Sequence, residues 1–176
     1  SANSYGYAGG TSSSIDGYGP GGGESLTDGG DNGGSGGGYG GRGGDGYGGN
    51  GGEQFEIPIE PKLAGSGGGS RGGGSYSPGG AGGGAIKIVT TNNATINGTL
   101  RSNGQKLAPI AGGGSGGSIW LQVSNIFGGN GTITANGGDG GNDASNRPGA
   151  GGGGRIYVRY SSSSFGGTIT ANGGQN

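Results

Sequence analysis

The chain has 176 residues, of which 59 are glycine and only 25% hydrophobic, with nine basic and ten acidic side chains giving a net charge of −1. A charge balance this even, with no basic block, leaves nothing to neutralise a phosphate backbone, so nucleic acid is excluded as a partner. Cysteine, histidine and methionine are absent, which removes disulfides, thiol chemistry and the usual zinc ligands.

Glycine near one residue in three evokes collagen, but there is no strict Gly-X-Y period and there are only six prolines. No apolar run approaches the roughly 18 residues a membrane-spanning helix needs. The chain opens on Ser1-Ala2-Asn3, which matches the tails of repeats further along. This predicts an open-ended array cut in register, with Ser1, Ala2 and Asn3 as contact residues at one end.

Residues 1–84 form a glycine-rich segment. In 1–53, Tyr, Ser, Asp and Asn punctuate glycine runs such as Gly36-Gly37-Gly38-Tyr39-Gly40-Gly41. Two conformations compete there: a flexible linker, and polyglycine II, an extended threefold helix whose N–H and C=O groups point sideways to neighbouring chains. Close approach is open to such helices because glycine carries no Cβ. Ordering glycine costs about 1–2 kcal/mol or more per residue, which only a bundle with nearly all backbone groups paired offsets. Gln54-Phe55-Glu56-Ile57-Pro58-Ile59-Glu60 alternates and predicts a strand, placed at an edge by Pro58.

From Ala85 a unit recurs: an alternating strand, a small polar loop, then Gly-Thr-Ile-Thr-Ala-Asn-Gly or a variant of it. Its copies span 85–117, 118–154 and 155–176, with 33 residues from Ile86 to Ile119 and 37 from Ile119 to Ile156. Periods of this size mark stacked structural repeats. The first strands align Ile86/Ile119/Ile156 and Ile88/Leu121/Val158 on one face and Lys87/Trp120/Tyr157 on the other, which predicts an exposed column for surface contacts. The second strands align Leu100/Ile133/Ile169 inward and Thr99/Thr132/Thr168 outward, and Asn103/Asn136/Asn172 close each unit. The expectation is an all-β, helix-free fold. Short strands stack as in a β-solenoid, with polyglycine II-type segments packed alongside as one continuous unit. Three or four buried aliphatics per repeat, at about 1.5–3 kcal/mol each, fall short of the entropy of ordering some thirty residues. Unprotected end strands then invite another copy.

Other motifs carry less. Asn93, Asn97 and Asn130 each begin an Asn-X-Thr sequon, a glycosylation site if the chain is secreted. Asp139 and Asp45 sit in Gly-Gly-X-Gly settings where the sixth position is Asn142 or Gly48, not the aspartate of a calcium-binding repeat. No phosphate loop of the Gly-Lys-Ser/Thr kind follows a strand. Glu53, Glu56 and Glu60 have no base or nucleophile to form a catalytic set. No cofactor and no enzymatic activity are expected. The Thr-Ile-Thr copies suggest an ice-binding threonine plane, which Arg101 interrupts.

The glycine tracts resemble the polyglycine II bundles of the snow flea type of antifreeze protein and of the glycine-rich receptor-binding tips of phage tail-fibre adhesins. Residues 81–176 resemble the glycine-rich repeats of large secreted surface proteins. The disulfides of that antifreeze protein have no counterpart here. These resemblances and the arithmetic above predict an extracellular structural protein that assembles with itself, end to end, into a filament. The alternatives are an adhesin that recognises glycans or a cell surface through Trp120, and an ice-binding protein.

Overall fold

In the computed structural model, residues 5–11, 15–26, 32–47, 49–56, 60–73 and 77–176 are described. Ser1, Ala2, Asn3 and the centre of the predicted 54–60 strand lie outside them. The described residues at its ends, 54–56 and 60, are not in a strand.

Nine strands and no helix make up the regular structure of the described residues. The chain makes three passes, each through three strands. The first is β1 (Ala85–Thr90), β2 (Ala94–Thr95) and β3 (Thr99–Arg101). The second is β4 (Ser118–Val123), β5 (Ile126–Gly129) and β6 (Thr132–Thr134). The third is β7 (Arg155–Arg159), β8 (Ser162–Phe165) and β9 (Thr168–Thr170). Strands of successive passes pair in parallel as three sheets, ordered β1-β4-β7, β2-β5-β8 and β3-β6-β9. None of the sheets closes on itself, so β1, β2 and β3 form one set of edges and β7, β8 and β9 the other.

Register follows side-chain identity. Ile86 pairs with Ile119 and Ile119 with Ile156; Leu100 pairs with Ile133 and Ile133 with Ile169. A one-residue slip would turn every aliphatic outward, so the period-2 pattern enforces the alignment. Ile119, Leu121, Val123, Phe127 and Ile133 of the middle pass form the buried centre, and Ile86, Ile88, Leu100, Ile156, Val158 and Phe165 pack around it. Corners fall at Asn and Gly. Gly129 has φ 108°, and a Cβ there would lie 2.2 Å from the Ile96 carbonyl oxygen.

Where the sequence pattern predicts a small polar loop, the structure has the middle sheet. Backbone pairing of Ala94 with Phe127 and of Phe127 with Ser163 makes it a sheet instead. Adjacent passes, already aligned by the flanking strands, bring these segments together whatever their side chains.

Glycine tracts run back from the end of each pass to the start of the next. In the tract 112–117 the direction of donation changes with every residue and repeats every third. Gly112 and Ser115 donate to Gly69 and Ser66; Gly113 and Gly116 to Gly149 and Gly152; Gly114 and Gly117 to Gln105 and Ser102, all at 2.8–3.0 Å. Carbonyls of the same tract accept from Gly37, Gly80, Gly83 and Gly138. A β-strand has neighbours on two sides only; this tract is bonded on more. The described part of the first 84 residues joins the same network, for example through Gly44 N–H to the Ala150 carbonyl and Gly152 N–H to the Gly37 carbonyl. Buried serines complete it: Ser66 N–H donates to Ser115 Oγ at 2.8 Å, and Gly21 N–H to Ser66 Oγ at 3.0 Å.

Candidate assembly surface

Lys87, Trp120 and Tyr157 form one column, paired Lys87–Trp120 and Trp120–Tyr157. Lys87 Nζ lies 3.8 Å from the Trp120 ring centroid, and Lys62 approaches the same ring at 5.7 Å. Exposure departs from the expectation. Lys87 is exposed and Tyr157 half-buried, but Trp120 is only 7% exposed. The lysines Lys62 and Lys87 lie over it, and strand alternation carries no information about a cover supplied from residue 62.

Aliphatic burial changes sharply from pass to pass. Ile133 is fully buried, whereas Ile169, its equivalent in the last pass, is 44% exposed. Ile86 and Ile88 at one edge and Ile156 and Val158 at the other are half-buried, while Ile119 and Leu121 between them are buried. The difference is one missing neighbour on each side of the stack.

A further set of contacts, not foreseen from sequence, links the passes at their corners. Asn93 Oδ1 accepts from Ile126 N–H and Asn97 Oδ1 from Asn130 N–H, both at 3.2 Å. Asn103 Oδ1 accepts from Asn136 N–H, Asn136 Oδ1 from Asn172 N–H, and Asp139 Oδ1 from Gln175 N–H, each at 2.9 Å. Every one runs from the backbone of the later pass to the side chain of the earlier. The recurrence of asparagine before glycine was the visible signal; its partner was not.

The sequon residues Asn93, Asn97 and Asn130 are exposed at these corners. Thr99, Thr132 and Thr168 share a column, and Arg101 stands beside Thr134 and Thr170 in the next.

Tyr39 is buried, its ring 4.9 Å from that of Phe55, and its hydroxyl donates to Glu56. Burial, followed by the Glu56 carboxylate, pushes the phenol well above its ordinary value, against smaller opposing pulls from the Ser118 hydroxyl and then Arg155. Arg155, the first residue of β7, donates to the carbonyls of Phe55 and Glu56 at 3.1 and 2.8 Å. This cluster fastens Tyr39, Phe55 and Glu56 to the third pass. Glu53 pairs instead with Arg42 at 3.2 Å and Glu60 with Lys62 at 2.9 Å, so the three glutamates are not brought together.

Among the described residues no group of three or more His, Cys, Asp or Glu is placed to hold a metal ion. No helix there is long and apolar enough to cross a membrane. Comparison of the chain with protein families, characterised proteins and solved structures gives no match.

Proposed function

We propose that this chain is an extracellular, non-enzymatic structural protein that stacks on further copies of itself to build a filament or surface fibre. The observation that carries the reading is the loss of burial at both ends of an in-register stack, Ile133 fully buried against Ile169 at 44% exposure. A parallel edge of this kind presents unpaired backbone groups and apolar side chains together. The three-pass arrangement reads as a short β-solenoid. The period-three donation of 112–117 supports polyglycine II for the flank, since that helix has three residues per turn and no internal hydrogen bonds. Its role is mechanical: tension along the stack is borne by backbone hydrogen bonds in three sheets and a glycine bundle.

Electron microscopy of the purified chain with sedimentation over a wide concentration range tests this. Uniform filaments with an axial spacing of about 4.7–4.9 Å are expected, and monomers at every concentration would sink it. A second reading, recognition of glycans or a cell surface, draws support from Tyr5, Tyr7 and Tyr18, all exposed on the glycine flank. Trp120 is buried and offers that reading little surface. Retention of monomers on immobilised glycans, lost in Tyr18→Ala, would favour that reading.

A further inference from the structure

We infer that the stack grows with a fixed polarity. The β7, β8 and β9 edges of one copy receive the β1, β2 and β3 edges of the next, head to tail, in the register already used between passes. The inference rests on the assembly reading above and adds its direction and pairing.

Three observations converge on it. The first is side-chain identity at the two ends. Docking in register sets Ile156 on Ile86, Val158 on Ile88, Thr168 on Thr99 and Ile169 on Leu100. These repeat the kinds of pair found inside the chain, Ile119 on Ile86, Leu121 on Ile88, Thr132 on Thr99 and Ile133 on Leu100.

The second is the direction of the corner bonds. All five run from a later N–H to an earlier side-chain oxygen. Asn172 Oδ1 is therefore left as an acceptor with no partner among the described residues, and Asn103 N–H as a donor with none. Head-to-tail docking brings this donor to this acceptor. Head-to-head docking sets donor against donor, and tail-to-tail sets acceptor against acceptor.

The third is the column Lys87, Trp120, Tyr157. Inside the chain the Lys87 ammonium lies over the ring of the following pass, 3.8 Å from its centroid. In the proposed register the next copy's Lys87 falls beside Tyr157, so the cation is flanked by an aromatic ring on each side, an arrangement that strengthens as water is excluded.

The chain contains no cysteine, so crosslinking reads the geometry directly. Val89 and Arg159 are exposed and share a column with Gln122 between them. Within one molecule they are two strand spacings apart, about 9–10 Å, beyond the ~7 Å limit for a disulfide. Between docked copies they are one spacing apart, about 4.8 Å. Val89→Cys and Arg159→Cys chains are prepared separately, mixed under assembly conditions and mildly oxidised. The expected result is a shift from the 16.4 kDa band to one of twice that mass in the mixture, with neither variant alone shifting. Homodimers of either variant alone would overturn the polarity. Filaments that form without any crosslink in the mixture would overturn the register while leaving assembly standing. Failure of the unmodified chain to assemble at all would remove both readings together.

Discussion

At the scale of single residues, the glycine tracts are a steric requirement. A Cβ placed on Gly116 would lie 2.0 Å from the carbonyl oxygen of Ala135 and 2.6 Å from the Gly154 nitrogen, both backbone atoms that cannot swing aside. A Cβ on Gly98 would meet nothing within 4 Å. Gly116→Ala is therefore expected to cost about 1–3 kcal/mol or more by overpacking. Gly98→Ala is expected to be neutral or slightly stabilising, because it narrows the unfolded ensemble. Urea midpoints of the two variants check this, and equal loss in both would remove steric closeness as the reason for glycine. Tyr39 gives a pH prediction. Its folded pKa is raised by burial and Glu56, so the folded state holds the phenol proton more tightly than the unfolded state. The stability it contributes is complete below the ordinary tyrosine value near 10 and falls as pH rises above it, because the unfolded chain deprotonates first. Alkaline unfolding followed by tyrosinate absorbance should show this loss in the natural chain and a smaller one in Tyr39→Phe.

At the scale of elements, the first and third sheets were legible because their strands carry repeated β-branched alternation that reads as a period of 2. The middle sheet was not. Asn93-Ala94-Thr95, Ile126-Phe127-Gly128-Gly129 and Ser162-Ser163-Ser164-Phe165 share no pattern. Their pairing is set by the flanking strands and satisfied by backbone groups of any residue. The polarity of the corner bonds was hidden for a similar reason: asparagine recurs visibly, but which neighbour it serves is a property of the stack. Trp120 is buried although Lys62, whose ammonium approaches its ring, stands 58 positions away, and no local periodicity reports such a contact. Within the middle sheet, Phe127 is 2% exposed and its ring centroid lies 4.7 Å from that of Phe165. Truncation should leave a cavity in the middle of the stack. Phe127→Ala is expected to cost about 3–5 kcal/mol, whereas Ser162→Ala on the same sheet, exposed, should stay within about 0.5 kcal/mol. Thermal melts of both variants separate a packed sheet from a loop, because a loop would tolerate the two changes alike.

At the scale of the molecule, the two ends of the stack carry the functional reading, and their chemistry decides how assembly responds to conditions. The ends proposed to meet are largely aliphatic, and the chain's net charge is only −1, so attraction between copies would not be electrostatic at long range. Filaments should therefore persist at about 1 M salt, where the screening length falls to about 3 Å, and salt-induced dissolution would contradict an aliphatic contact. Ile169 is the sharper probe. At 44% exposure it tolerates a charged replacement in the single chain, where the new group reaches water. In the stack the same group would lie under Leu100 of the next copy, desolvated and unpaired. An unpaired buried charge costs about 3 kcal/mol or more, which corresponds to roughly a hundredfold rise in the concentration needed for assembly. Ile169→Asp should thus melt close to the natural chain as a monomer yet fail to form filaments at concentrations where the natural chain does. Ile133→Asp, buried within the chain itself, should lose the fold. If Ile169→Asp polymerises as readily as the natural chain, the third sheet does not form part of the contact between copies.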